Sequence, residues 1–140
     1  MNKTILAHDA SQMEDIGEEL GSRLRDGTLV SLVGPLGSGK TTLVKGIAKG
    51  LLITDVIVSP SYMLAREYRG RLALHHIDAY RIGSLAELAE VGLDDALPPD
   101  RGVTVVEWPE RIDGLVEASD ILVEIELLDD GSRRVQLRTR

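Results

Sequence analysis

A chain of 140 residues with no cysteine and a formal net charge of −7 has the length of one domain, and it lacks the means for a disulfide framework, a zinc–thiolate site or a thiol nucleophile. That length buries roughly two-thirds of the unfolded surface, and the acidic balance argues against a dedicated nucleic-acid binder, which needs a basic face. No apolar run approaches the ~20 residues of a membrane span, and Met1-Asn2-Lys3-Thr4 is too short and polar to open a signal peptide. A cytoplasmic location with no membrane contact is the expectation. With three tyrosines, one tryptophan and no phenylalanine, the core is expected to be aliphatic.

Ile5-Leu6-Ala7 reads as a short edge strand. Ser11-Gln12-Met13-Glu14 has the form of a capping box, which predicts a helix running to about Arg25 with Met13, Ile16, Leu20 and Leu24 on its buried stripe. Asp26-Gly27 ends it. Leu29-Val30-Ser31-Leu32-Val33 then reads as a strand. Gly34-Pro35-Leu36-Gly37-Ser38-Gly39-Lys40-Thr41 follows, and the segment from Thr42 to about Leu51 has a helical pattern.

Strand, glycine loop ending in Gly-Lys-Thr, and helix together are a P-loop in its required context. Glycines let the backbone curl until several N–H groups converge. At the positive end of the following helix those groups make an anion site for a β-phosphate. Lys40 is expected to reach the β- and γ-phosphates, and Thr41 to offer its hydroxyl to Mg²⁺. The expected nucleotide-binding set is therefore Leu36, Gly37, Ser38, Gly39, Lys40, Thr41 and Thr42.

Val56-Ile57-Val58 is β-branched but runs into Ser59-Pro60-Ser61, so it reads as a strand end or loop. Tyr62–Tyr68 and Leu72–Asp78, joined through Arg69-Gly70-Arg71, predict an antiparallel hairpin. Ser84-Leu85-Ala86-Glu87 opens a helix to about Glu90, and residues 92–97 suggest a further helical turn stopped by Pro98-Pro99. Val103-Thr104-Val105-Val106 is the pattern of a strand buried on both faces. Ile121–Leu128 and Arg134–Arg138 flank Asp129-Asp130-Gly131-Ser132 as a second hairpin. The order predicts an α/β fold of P-loop NTPase type: a mainly parallel sheet flanked by helices, with antiparallel hairpin additions.

Hydrolysis needs a carboxylate for the metal and a group to orient water. In such sheets these groups stand at the carboxyl ends of strands, and Asp78 and Glu107 occupy those positions. Glu107 is assigned to the metal because its strand reads as the more central, with Asp78 holding a metal-bound or attacking water; the reverse assignment is also open. His75 and His76 point to opposite faces of a strand. His76 shares the face of Asp78 and is the better functional candidate.

Gly-Pro-Leu-Gly-Ser-Gly-Lys-Thr-Thr (34–42), Ser-Pro-Ser-Tyr (59–62), His-Ile-Asp-Ala-Tyr-Arg (76–81) and Glu-Trp-Pro (107–109), in that order and over nearly the whole chain, resemble the TsaE (YjeE) ATPases of the bacterial tRNA threonylcarbamoyladenosine pathway. The resemblance implies an ATPase that assists a complex of TsaB and TsaD and meets tRNA only through those partners. It implies ATP and Mg²⁺ as cofactors and Glu107 in the metal position. Asp78 and Ser59-Pro60-Ser61 would be switch-like elements, and Trp108 would lie near the nucleotide. It further implies that Ser11 and Gly131 lie near the adenine. The family pattern at the switch is Ser-Pro-Thr; Ser61 keeps the hydroxyl but lacks the methyl that stiffens the side chain.

Three other readings use the same residues. A small-molecule kinase would need lid arginines, for which Arg66, Arg69, Arg71 and Arg81 are available, but the chain leaves little room for a lid. A regulatory GTPase typically reads guanine with Asn-Lys-x-Asp, whereas Asn2 is the only asparagine here. A nucleotide-binding module without useful turnover has the same sequence features as a slow ATPase.

Overall fold

The computed structural model describes residues 2–58, 65–82, 85–90 and 96–140. In chain order these form β1 (Asn2–Ala7), α1 (Ala10–Arg23), β2 (Thr28–Val33), α2 (Lys40–Gly50), β3 (Ala65–Arg69), β4 (Ala73–Asp78), α3 (Leu85–Glu90) and β5 (Val103–Glu107). A 3₁₀ turn at Pro109–Arg111, α4 (Leu115–Ala118), β6 (Ile121–Leu127) and β7 (Arg133–Thr139) complete the order. Among the described residues seven strands make one sheet, ordered β1-β7-β6-β2-β5-β4-β3. The inner strands β6, β2, β5 and β4 run parallel, while β1–β7, β6–β7 and β3–β4 are antiparallel. The expected architecture, a parallel core with hairpin additions, is thus present, and the additions lie at both margins.

Patterning explains the layers. Every residue of β5 is buried, because α1 and α2 cover one face of the sheet centre and the segment after β5 covers the other. Val30, Leu32, Leu74, Val103 and Val105 pack under α1 and α2. Leu29, Ile77 and Val106 face the opposite way, against Ile112 and Leu115. That second cover comes from the 3₁₀ turn and α4, short elements that sequence reading missed because neither is long enough to show a helical period. Among the described residues the core is aliphatic as expected apart from the buried Tyr68, with the partly buried Trp108 packed against the second cluster.

The first helix starts earlier than the Ser11 capping box predicts. Asp9 is the N-cap, its Oδ1 accepting the Gln12 N–H at 2.8 Å, and the Gln12 side chain accepts the His8 N–H at 2.7 Å. A reciprocal cap therefore exists, two residues upstream of the predicted one. Glu14, the acid of the predicted box, instead pairs with Lys49 of α2 at 2.8 Å. The helix also ends at Arg23 rather than Arg25, since Leu24 is extended and buried in the core.

Helices α1 and α2 meet through glycines. A Cβ on Gly46 would stand 2.0 Å from the Glu14 carbonyl oxygen, and one on Gly17 would stand 2.2 Å from that of Leu43. The backbones are in contact, so main chain rather than side chains sets the spacing between α1 and α2, the helix that carries the P-loop lysine. Residues 56–58 form no strand. The Ser59-Pro60-Ser61 segment, residues 62–64 of the predicted first hairpin strand, Ser84, and residues 92–95 of the predicted helical turn lie outside the described residues. At the described end of the predicted 92–97 turn the chain is not helical: Ala96 forms an isolated antiparallel bridge with Pro99 instead.

Candidate nucleotide-binding site

Strand β2 delivers the chain to Gly34, and the loop closes at Gly39, the N-cap of α2, whose φ of 102° is left-handed backbone that a side chain would strain. Among the described residues no side chain caps this helix, and its first turn holds no acidic residue. Its N-terminal N–H groups and positive dipole end are thus available to an anion. The registers set Leu32 beside Glu107 and Asp78 beside Glu107, so the carboxyl ends of β2, β5 and β4 lie in a row at the loop.

A cleft of about 330 Å³ opens there, lined by Leu36, Gly37, Ser38, Gly39, Lys40, Thr41 and Thr42 with Asp78, Glu107 and Trp108. The predicted phosphate loop, both predicted acids and the predicted tryptophan thus come together. Ser11 does not line it; it sits exposed in the first turn of α1. Gly131 does not line it either, and occupies the β6–β7 turn with φ 87°.

Lys40 Nζ donates to the Gly34 carbonyl at 2.6 Å and lies 3.4 Å from the centroid of the Trp108 ring. Burial lowers the pKa of its ammonium below the ordinary 10.5, against the pull of Glu107, Glu110 and Asp78. Trp108 reaches over Lys40 from left-handed backbone, φ 59°, a conformation that costs a non-glycine residue about 1 kcal/mol. Tyr80 meets its ring edge-on at 5.0 Å, and Arg111 lies over Tyr80 at 4.7 Å. An aromatic wall with a cation at each end closes this side of the cleft.

On the floor, Thr41 Oγ1 donates to Glu107 Oε2 at 3.3 Å, and His76 Nε2 meets the same oxygen at 2.6 Å. Of the two acids Glu107 is therefore the one against Thr41. Asp78 accepts the Tyr80 N–H at 2.9 Å, which turns the chain under the aromatic wall. The histidines divide as alternation requires: His76 is fully buried, while His75 stands half-buried beside Glu67 at 3.8 Å. Thr41 and Glu107 offer a hydroxyl and a carboxylate side by side, hard oxygen donors of the type Mg²⁺ takes alongside phosphate and water. Among the described residues no group of three His, Cys, Asp or Glu side chains forms a ready-made metal cage.

Sequence reading missed Arg133. Its guanidinium donates to the carbonyls of Gly37 at 3.2 Å, Ser38 at 3.4 Å and, more closely, Gly131. It ties the hairpin turn to the P-loop. Because a trans peptide points C=O and N–H in opposite directions, holding the Ser38 carbonyl turns the Gly39 N–H away from Arg133. A second cavity of about 100 Å³, lined by Asp9, Ala10, Met13, Gly39, Thr42 and Arg133, adjoins the loop. It lies where the start of α1 meets the hairpin side of the loop, the two regions to which Ser11 and Gly131 belong.

A family model described as "Threonylcarbamoyl adenosine biosynthesis protein TsaE" matches residues 7–135. The chain belongs to the TsaE family. The protein of Treponema pallidum named tRNA threonylcarbamoyladenosine biosynthesis protein TsaE is 38% identical over 119 residues, 85% of this chain and 87% of that one. The TsaE of Nostoc sp. is 38% identical over 141 residues, 98% of this chain and 85% of that one. The crystal structure of Bacillus subtilis YdiB aligns with a TM-score of 0.79 at 27% identity, covering 99% of this chain and 86% of that chain. Of the four motifs carrying the TsaE resemblance, the P-loop, the residues around Asp78 and the Glu-Trp-Pro segment meet at the cleft. The Ser-Pro-Ser motif falls outside the described residues. No helix among them is long and apolar enough to cross a membrane.

Proposed function

We propose that this TsaE-family protein binds ATP with Mg²⁺ in the cleft, hydrolyses it, and serves tRNA N6-threonylcarbamoyladenosine modification as the accessory ATPase of a TsaB–TsaD complex in the cytoplasm. The observation that carries the reading is the convergence of Lys40, Thr41, Asp78 and Glu107 on one cleft at the strand ends, with the uncapped N-terminus of α2. In this reading Leu36 through Thr42 hold the phosphates, with Lys40 on the β- and γ-phosphates. Thr41 and Glu107 hold the metal. Bound Mg²⁺ supplies charge neutralisation on the phosphates. Asp78 orients water, and Ser61 contributes a switch hydroxyl from outside the described residues. Trp108 shields Lys40 from solvent, and the reading has it close to the nucleotide. Ser11 and Gly131 belong to the adenine side, next to the small cavity beside Arg133. Adenine rather than guanine is supported by the lack of an Asn-Lys-x-Asp segment, Asn2 being the only asparagine. The net charge of −7 fits a protein whose tRNA is held by its partners.

Two substitutions separate binding from turnover. Lys40→Ala is expected to abolish tight ATP binding, read by the fluorescence of Trp108, the single tryptophan. Glu107→Ala is expected to retain much of the binding and lose turnover. Equal turnover in Glu107→Ala and wild type would remove the catalytic assignment.

A further inference from the structure

Two side chains hold the Glu107 carboxylate, Thr41 and His76. His76 lies on β4, one strand over from Glu107, and its side chain is wholly buried. Its Nε2 meets Glu107 Oε2 at 2.6 Å, a closer contact than the 3.3 Å from Thr41 Oγ1 to the same oxygen. A carboxylate oxygen only accepts, so Nε2 carries the hydrogen. The other ring nitrogen, Nδ1, is buried and has no hydrogen-bond partner among the described residues. A buried polar atom without a partner costs free energy, so packing alone would favour an apolar residue here. What the imidazole supplies in return is one donor, aimed at Glu107.

Both hydrogen bonds to the carboxylate among the described residues converge on Oε2. One of them comes from Thr41, the hydroxyl that the proposed function gives to the metal. When Thr41 turns to a metal, the bond from His76 is the one that still fixes the rotation of the carboxylate. We propose that His76 is a positioning residue: its Nε2–H clamps Oε2 of Glu107, so that the carboxylate keeps one orientation and presents Oε1 to the metal. This rests on the reading of Glu107 as the metal-side acid. The neighbour on the metal ligand, rather than the ligand alone, then sets how much Mg²⁺ strengthens nucleotide binding.

The test measures binding of a non-hydrolysable ATP analogue, with Trp108 fluorescence as the readout, across a MgCl₂ titration and in EDTA. It compares wild type, His76→Gln and His76→Leu. Glutamine can place an amide N–H near the position of Nε2; leucine fills the space without a donor. In His76→Leu the Mg²⁺ concentration for half of the effect is expected to rise about 10- to 100-fold, with binding in EDTA unchanged. His76→Gln is expected to restore most of the wild-type response. A folded His76→Leu with the wild-type Mg²⁺ response, or a His76→Gln that loses as much as His76→Leu, would overturn the proposal. If His76→Leu does not fold, the wild-type protein decides: the His76 Nε2–H NMR signal should shift when MgCl₂ is added to the analogue complex and stay in place when the analogue is added in EDTA. No shift with MgCl₂ refutes the clamp. A wild type with no Mg²⁺ response at all refutes the metal reading of Glu107, and the clamp falls with it; a wild-type response that His76→Leu keeps refutes the clamp alone.

Discussion

Gly46→Ala sets two physical effects against each other. Gly46 lies inside α2, where helix propensity alone favours alanine by about 1 kcal/mol. Packing predicts the opposite. The added Cβ would stand 2.0 Å from the Glu14 carbonyl oxygen and 2.9 Å from Glu18 N, backbone atoms of α1 that cannot rotate away. Ordinary contact begins near 3.4 Å, so the helices must separate by about 1.4 Å. Such a gap forfeits much of the dispersion between the facing surfaces, which include the fully buried Met13, Leu43 and Ile47. Overpacking of this kind costs about 3 kcal/mol. Offset by propensity, the net loss is about 2 kcal/mol, or a fall of about 6 °C in the thermal midpoint for a chain of this size. Circular dichroism melts of wild type and variant measure it. An unchanged or raised midpoint would refute the claim that backbone contact, rather than side-chain filling, sets the spacing of α1 and α2.

Two further outcomes follow from the hairpin. Arg133→Ala frees the Gly37 and Ser38 carbonyls, and since hydrogen bonds to a charged group contribute about 1.5–3 kcal/mol, ATP affinity is expected to fall at least about tenfold; calorimetric titration reads this, and an unchanged affinity would show that the loop keeps its shape unaided. The Ser132 hydroxyl and backbone N–H hold the pKa of the Asp130 carboxyl below its ordinary 3.8. The sign follows: the bonds stabilise the turn above 3.8 and are lost as pH falls through the lower folded value. An NMR titration should place the Asp130 midpoint below 3.8 and move it upward in Ser132→Ala.

What was legible in the chain was local. The P-loop announces itself because its glycines, lysine, threonine and flanking elements are contiguous, and Asp78 and Glu107 announce themselves as strand-terminal acids. Relations across distance were not legible. Arg133 reaches the loop from 95 residues away in sequence, and nothing near it marks a tether. Gly17 and Gly46 look like weak points in a helical pattern until the second helix is placed against them. Ser11 competes with Asp9 as a cap, and the choice depends on Glu14 having a better partner in Lys49. His76 was separable from His75 by strand alternation, yet its bond to Glu107 requires knowing that β4 and β5 are neighbours.

The most direct test of the account is ATP hydrolysis by the purified protein, alone and with a TsaB–TsaD complex, with GTP as the control. Turnover selective for ATP, rising when the complex is added, is the expected result. No turnover and no binding to the complex would contradict it, leaving a P-loop protein whose client lies elsewhere and bringing a kinase reading to the front.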